Sequence, residues 1–352
     1  MDRHLAPIIT VLMAVHNAKN YVSQTIQSIL DQSFKDFEFL IIDDGSTDGT
    51  SGIISKYTDS RIRVVKNQNN LGLVRSLNIG LKNASGKYIA RIDADDLAAK
   101  NRLEMQHSFL SQNTQIGIVG SHMNYIDEKN IILRLQKYPL THREIKAYSL
   151  FGSPFGHPTV MFQKDIFIVN NLFYDEAYAT AEDYELWQRA LKIIKGANCD
   201  ELLLSYRLTT SQISSVHFNR EQEADGRIKM NYLRDLDIDE KYIDTLSIFL
   251  KNVITIEHAI KFPEILKAIE GLFEANKEKL IFDQDMLKAY SGLKIDTIVR
   301  IYSSRSQPLY NHYKNSAVFG INKLNFMSKM KIKLKQIYKM APGQKTSEKL
   351  IV

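Results

Sequence analysis

Apolar positions set the first hundred residues into an alternation of two periods. Ile8 to Ala14 is a β-branched apolar run that reads as a buried strand, and Tyr21 to Gln32 carries Val22, Ile26, Ile29 and Leu30 at helical spacing. Phe37 to Ile42 repeats the strand signature and stops at Asp43-Asp44-Gly45-Ser46, followed by a short helix over Thr50 to Tyr57 and a strand over Ile62 to Val65. Leu73, Leu77 and Leu81 mark a third helix, and Tyr88 to Ile92 a strand that ends in Asp93-Ala94-Asp95-Asp96. This order predicts an α/β fold, a mostly parallel sheet with helices on both faces. Such sheets bind ligands beyond the carboxyl ends of their strands. Two of the predicted strands end there in carboxylate clusters.

The pattern loosens after Asn101. A helix over Arg102 to Gln112, a strand over Ile116 to Gly120 and a hairpin over Met123 to Leu135, turning near Glu128-Lys129-Asn130, lead to Pro139. Thr141 to Glu144 has capping-box spacing. Gly152 to Pro158 reads as a loop before a strand over Thr159 to Phe162, and Ala181-Glu182-Asp183 begins an aromatic helix through Trp187 to about Lys195. Beyond Glu221 the periodicity is helical. The expected division is a sheet domain over 1–218 and a helical C-terminal region over 219–352.

Composition narrows the class without deciding it. The chain has 352 residues, 44% of them apolar and 24% charged, which is globular and excludes disordered or collagen-like chains. A single cysteine, Cys199, points to a reducing compartment. No apolar run approaches the roughly 20 residues of a membrane span, and Met1 to Pro7 lacks a signal-peptide core. The expectation is a cytoplasmic protein, soluble or peripheral on the cytoplasmic face of the inner membrane. Lys and Arg number 46 against 40 Asp and Glu, and the excess gathers near the end, where Lys323, Lys329, Lys331, Lys333, Lys335, Lys339, Lys345 and Lys349 face only Glu348. With Leu324, Met327, Met330, Leu334, Ile337 and Tyr338 on one stripe, residues 322–341 predict a basic amphipathic helix able to lie on anionic lipid or to dock on the protein. Nucleic acid is not an expected partner.

Three acidic segments carry the candidate chemistry. Asp43-Asp44-Gly45-Ser46-Thr47-Asp48 places carboxylates at a strand end, where one can accept a hydrogen bond from a uracil or guanine ring N–H; the same residues also suit a turn and helix cap. Asp93-Ala94-Asp95-Asp96 crowds acids that repel one another unless a cation offsets them, and alternate carboxylates suit Mg2+ or Mn2+ completed by a diphosphate. Glu182-Asp183 stands at a helix start, which favours the ionised carboxylate a general base needs.

Taken in order, these segments resemble the family 2 glycosyltransferases, inverting nucleotide-sugar enzymes of the GT-A fold. The resemblance covers about residues 8–215. It rests on Val11 to Asn17, Asp43 to Asp48, Asn70-Leu71-Gly72-Leu73 with Leu77-Asn78, Asp93 to Asp96, His157 to Phe162 and Glu182 to Trp187. It implies that Asp44 takes the uracil N3–H, with Val15, Asn17 and Ser46 beside the base. Asn70, Arg75, Asp93 and Ala94 would line the nucleotide-sugar. Asp95, with Asp93, would hold Mn2+ or Mg2+, and Asp183 would deprotonate the acceptor, Glu182 being the lesser candidate. The implied activity moves one hexose from a UDP-sugar (UDP-Glc, UDP-Gal or an N-acetyl form) to an oligosaccharide or undecaprenyl-diphosphate-linked acceptor. The bond formed would be β, in O-antigen, lipopolysaccharide, capsule or exopolysaccharide synthesis.

The sequence departs from the pattern in three places. Ala14 replaces the usual Pro and His16 a frequent Tyr. At Arg207-Leu208-Thr209, relatives commonly read Arg-x-His, so the metal leans on water, Asp95 and phosphate oxygens, or on His217 instead; no metal-ligand His is assigned. Neither the spans nor the Gln/Arg-x-x-Arg-Trp motif of processive synthases is found. His157 and the Tyr184–Trp187 pair read as structural, and Cys199 as buried filler. Two rivals remain: a metal-dependent nucleotidyltransferase, which would favour a Gly- and Arg/Lys-rich first loop in place of His16-Asn17-Ala18-Lys19, and a non-catalytic nucleotide-sugar-binding module. A nicotinamide dehydrogenase lacks its Gly-x-Gly-x-x-Gly.

Overall fold

The computed structural model describes residues 6–209, 218–302 and 350–351. The basic tail, 322–341, and His217 lie outside the described residues. The chain divides into two compact units, residues 1–142 with 154–216, and residues 143–153 with 217–352.

In the first unit, four parallel strands stand in the order β3 (Ile62–Asn67), β2 (Phe37–Asp44), β1 (Ile9–Val15), β4 (Tyr88–Arg91). The intervening helices are α1 (Val22–Leu30), α2 (Thr50–Ile54) and α3 (Leu73–Asn83). Alternate residues of β1 serve opposite faces, as a strand requires. Ile9, Val11, Met13 and Val15 join Val22, Ile26 and Ile29 of α1 in one buried cluster, while Leu12 lies so close to Gly80 of α3 that a side chain there would overlap it. Both faces are therefore covered, as expected of near-continuous apolar strands.

The sheet continues beyond β4 through mixed pairings, completing the expected GT-A-like architecture with helices following in the second unit. After β5 (Leu97–Ala98) and α4 (Arg102–Gln112), β6 (Ile116–Ile126) and β7 (Ile132–Gln136) form the predicted hairpin. Then come α5 (His142–Tyr148), β8 (Met161–Gln163), α6 (Lys164–Val169), α7 (Glu182–Ala190) and β9 (Lys195–Arg207). β8 lies antiparallel between β4 and β6, β9 runs parallel to β6, and β5 pairs antiparallel with β9.

Three expectations need correction, and one strand was not expected. β2 runs on through Asp44, because β3 extends to Asn67 and supplies ladder partners for Asp43 and Asp44. The aromatic helix ends at Ala190 rather than near Lys195. The stretch from Lys195 is a strand that propensity does not announce, since Lys-Gly-Ala-Asn-Cys-Asp-Glu lacks β-branched residues; its pairing along β6 makes it one. Finally, His157–Thr159 is a single 3-10 turn, and the strand starts only at Met161.

The second unit is helical: α8 (Phe218–Asp235), α9 (Glu240–Leu250), α10 (Ile256–Ile260), α11 (Phe262–Lys279) and α12 (Gln284–Tyr302). Ile228, Leu233, Phe249, Ile265, Ile269 and Ile295 are fully buried. Lys229, also buried, donates to Leu250 O (2.8 Å) and Asn252 Oδ1 (2.6 Å) and pairs with Asp225 (2.7 Å), placing a cation at the carbonyl end of α9. Among the described residues no helix is long and apolar enough to cross a membrane.

Gly86, at the entry to β4, gives a direct test of this packing. An added methyl would overlap the backbone of Ile9 and Thr10 in β1. Gly86→Ala is expected to destabilise by about 1–3 kcal/mol. Gly52→Ala in α2, with open space around it, should instead gain about 0.5–1 kcal/mol. Urea midpoints that moved together would contradict this.

Candidate active site

The carboxyl ends of β1, β2 and β4 share one edge of the sheet, with Val15 opposite Asp43 and Leu12 opposite Arg91. Neighbouring strands are spaced about 4.8 Å apart, so the two acidic tips lie within reach of one extended ligand.

On the β2 side, two loops clamp each other. Asn17, at φ +53°, donates its backbone N–H to Ser46 Oγ (3.1 Å) and accepts from Thr47 N through Oδ1 (2.9 Å). His16 Nδ1 lies 2.7 Å from Asp44 O, a bond in which the ring N–H donates. Asp43 accepts from Ser46 N (3.2 Å) and from Ser51 Oγ. Asp44 is buried and holds the next loop: Oδ1 accepts from Asn67 Nδ2 (2.7 Å) and Leu71 N (2.9 Å), and Oδ2 from Gly72 N (2.8 Å). Gly72, at φ +90°, takes a backbone conformation that side chains avoid. Val15 is buried and shapes this shelf through its backbone and packing. Asn70 caps Gly72 N (2.9 Å), while Arg75 points to the surface, paired with Glu176 at 2.8 Å with both side chains 56% exposed.

The β4 side is organised by a buried cation. Arg91 grips Asp93 with both terminal nitrogens, Nη1 at 2.6 Å from Oδ2 and Nη2 on Oδ1. Burial works against the charge of this guanidinium, but Asp93, Tyr174 and Asp96 outweigh it and raise its pKa. Asp95 is pushed up to about 6, by burial first and by Asp93 second. Ala94 O and Asp96 O both accept from Thr25 Oγ1 of α1 (2.9 and 2.8 Å). Arg207, at the end of β9, completes the loop: its backbone N–H donates to Asp96 Oδ1 (3.0 Å), and its guanidinium to Asp95 O (2.8 Å), Asp127 O (3.1 Å), Asn130 Oδ1 (2.6 Å) and Gln24 Oε1 (3.2 Å).

Glu182 and Asp183 open α7 across from these acids. Glu182 is buried, 3.7 Å from His157 Nδ1, and pushed up to about 8 by burial and then by Asp183, while Arg91 pulls it back. Asp183 is only partly buried. His157 Nε2 meets Tyr174 OH at 2.9 Å, and burial with Arg91 nearby holds the imidazole neutral, far below its ordinary pKa. Asn78 binds the backbone of Tyr174 in both directions (2.9 and 3.0 Å), which ties the Leu77-Asn78 helix to this wall. Trp187 is fully buried against Phe155, His157, Phe162 and Phe167, so it packs the core. Cys199 is buried and its thiol pushed up to about 11.

Comparison with known proteins supplies the family. The family model for glycosyl transferase family 2 matches residues 10–170. An uncharacterized glycosyltransferase of Haemophilus influenzae is 34% identical over 277 residues, spanning 75% of this chain and 84% of that protein. This chain belongs to glycosyltransferase family 2. The Escherichia coli UDP-Glc:alpha-D-GlcNAc-diphosphoundecaprenol beta-1,3-glucosyltransferase is 31% identical over 221 residues, 62% of this chain and 83% of that one. An O-antigen biosynthesis glycosyltransferase of E. coli is 36% identical over 218 residues, 59% and 82%. In fold, the glycosyltransferase resembles S. aureus TarS solved with UDP-GlcNAc, at a TM-score of 0.55 and 18% identity over 96% of this chain and 94% of TarS.

The donor set around Asp95 fits a hard divalent cation. Asp95 and Asp93 offer only carboxylate oxygens, the kind Mg2+ and Mn2+ take. Asp95 is raised by burial first and by the Asp93 charge second, and the buried Asp96 Oδ2 has no hydrogen-bond partner, so a cation beside these carboxylates would offset both. Among the described residues no three ligating side chains surround one point, so a cation here would take its other ligands from diphosphate or water.

Sequence reasoning assigned no role to Arg91, Arg207 or Tyr174. The signal for Arg91 was present, as the only charged residue within the apolar strand before the acids; Arg207 stood in the Arg-x-His comparison without a role of its own, and Tyr174 gave none.

The shift of Glu182 has a sign that can be checked. Burial favours the neutral acid, so its contribution to stability is kept at low pH and lost as pH rises from the ordinary 4.5 through about 8. From pH 5 to pH 8 the protein should lose stability relative to Glu182→Gln, at up to about 1.4 kcal/mol per pH unit. Parallel urea curves for the two proteins across that range would contradict the assignment.

Proposed function

We propose that the glycosyltransferase moves one sugar from a UDP-sugar (UDP-Glc, UDP-Gal or an N-acetyl form) onto a glycan acceptor carried on a lipid diphosphate. The reaction inverts the anomeric carbon and yields a β-linked product for O-antigen, capsule or exopolysaccharide assembly. The observation that carries this reading is the common field of Arg91, which acts on Asp93 and Asp95 on one side and on Glu182 on the other. This shared neighbour supports reading the donor-side and base-side acids as parts of one site. The E. coli relative named for UDP-Glc and a diphosphoundecaprenol acceptor supports the choice of donor and acceptor class.

In this reading the uracil rests on the Val15–Asn17 and Ser46 shelf, and its N3–H goes to Asp44 Oδ2, which has a single protein partner among the described residues. Asn70, with Arg75 beyond it, and Ala94 line the remainder of the donor. Asp95 and Asp93, together with phosphate oxygens, would hold a Mn2+ or Mg2+, which would supply Lewis-acid compensation for charge on the leaving diphosphate. Asp183 takes the acceptor hydroxyl proton. The acceptor oxygen bonds to the anomeric carbon while the bond from that carbon to the phosphate oxygen breaks, and its electron pair leaves with UDP. Asp183 suits this better than Glu182 because it is accessible, whereas Glu182 is buried and held toward its neutral form. The basic tail, 322–341, serves as a peripheral contact with the inner membrane.

With Mn2+ and a synthetic lipid-diphosphate sugar, Asp183→Asn should lower kcat by about 10²–10⁴ and leave calorimetric UDP affinity unchanged. Asp95→Asn should weaken UDP binding in the presence of Mn2+. Near-normal turnover by Asp183→Asn would place the base elsewhere.

A further inference from the structure

The hairpin of β6 and β7 carries an apolar surface that the chemistry of the cleft does not use. Ile131, Ile132 and Leu133 follow one another in sequence and are 60%, 63% and 54% exposed. Soluble surfaces scatter such residues singly; three adjacent large aliphatics on an exposed strand mark an interaction surface or an aggregation hazard. Among the described residues β7 pairs only with β6, and the run sits at its outer end. Lys129 and Arg134 flank it, both exposed, with Glu128 as the exposed acid of the turn. Arg134 lies over the ring of Tyr125, 4.0 Å from its centre, leaving its guanidinium without a carboxylate partner in any ion pair of the described residues.

This hairpin is also joined to the acidic loop. Arg207 binds Asp127 O and Asn130 Oδ1 in the hairpin turn with the same guanidinium that binds Asp95 O. Tyr125 packs edge-on against Tyr206 at 5.3 Å, and Tyr206 lies in the field of Asp93, Asp96 and Asp95. An acceptor reaching Asp95 and Asp183 while its lipid stays in a bilayer requires a bilayer close to the cleft.

We propose that the β6–β7 hairpin is a bilayer-contacting surface of this enzyme, with Ile131, Ile132 and Leu133 entering the interface and Lys129 and Arg134 meeting anionic headgroups. Aliphatic tips flanked by basic side chains are the pattern of an element that lies on anionic lipid without crossing it. The charge of the flanking residues selects a lipid surface over a second copy of the chain, whose matching strand would present the same two cations. The inference rests on the lipid-linked acceptor reading for its use, but its test does not need an acceptor.

Cys199 is the only native cysteine and is buried, so a label on Ile132→Cys in the full chain reports on the hairpin alone, whatever the tail does. An environment-sensitive fluorophore there should shift to the blue and brighten on addition of vesicles of phosphatidylglycerol and phosphatidylethanolamine. The same label on Ser111→Cys, at an exposed position of α4, should not respond. Replacing Ile131, Ile132 and Leu133 together by Ser should raise KM for a vesicle-embedded acceptor roughly tenfold, with kcat/KM for a water-soluble acceptor of the same sugar unchanged. An unchanged spectrum while the protein sediments with vesicles would overturn the proposal. A blue shift that grows with protein concentration and without lipid would overturn it too, giving the strand to a second copy. Failure of transfer to every lipid-diphosphate acceptor, with the vesicle-induced shift intact, would remove the acceptor reading and leave the hairpin proposal standing.

Discussion

Carboxylates do not gather in a half-buried cleft unless something holds them against their own repulsion, and here a buried guanidinium does so. Arg91 leaves the apolar strand β4 and grips Asp93 in a bidentate pair, the geometry in which Arg is strongest. Its field extends to Glu182, Tyr174 and His157. Without that charge, less would offset the burial and mutual repulsion that already push Asp95, Asp96 and Glu182 toward their neutral forms. With it, part of the negative charge is already compensated, and the residue is what a divalent cation and a diphosphate suit.

The fold delivers these groups by ordinary means. Parallel strands covered on both faces bring β2 and β4 to the same edge, and the loops beyond them are fixed by hydrogen bonds to side chains rather than by bulk. Asp44 uses three acceptor contacts to hold Asn67, Leu71 and Gly72, while Thr25 and Arg207 hold the backbone of Ala94, Asp95 and Asp96. Loops fixed by this many hydrogen bonds favour preorganised recognition of a charged ligand.

Much of this was legible before any coordinates. The first two strands, expected over Ile8 to Ala14 and Phe37 to Ile42 and found over Ile9–Val15 and Phe37–Asp44, and the helix over Arg102–Gln112 follow from periodicity, and the acids at two strand ends follow from that order. The long strand from Lys195 was not legible, because its first seven residues lack β propensity and its partner β6 lies far away in sequence. Nor was the depth of individual carboxylates: nothing in Glu182-Asp183 says that the first is buried beside His157 and the second is accessible. Asp44 illustrates the same limit, since a motif singles out an acid at a strand end but not the three loop contacts that acid makes. Arg207 forms its network with residues from three distant segments, and only the folded chain assembles them.

The most direct measurement is a crystal structure grown with UDP and Mn2+, with anomalous data collected at the manganese edge. The expected result is a single strong manganese peak beside Asp95 and the diphosphate, the uracil on the Asn17–Ser46 shelf, and Asp183 facing the open side of the same cleft. A manganese peak remote from Asp95, or a nucleotide bound away from the carboxyl edge of β1, β2 and β4, would contradict it.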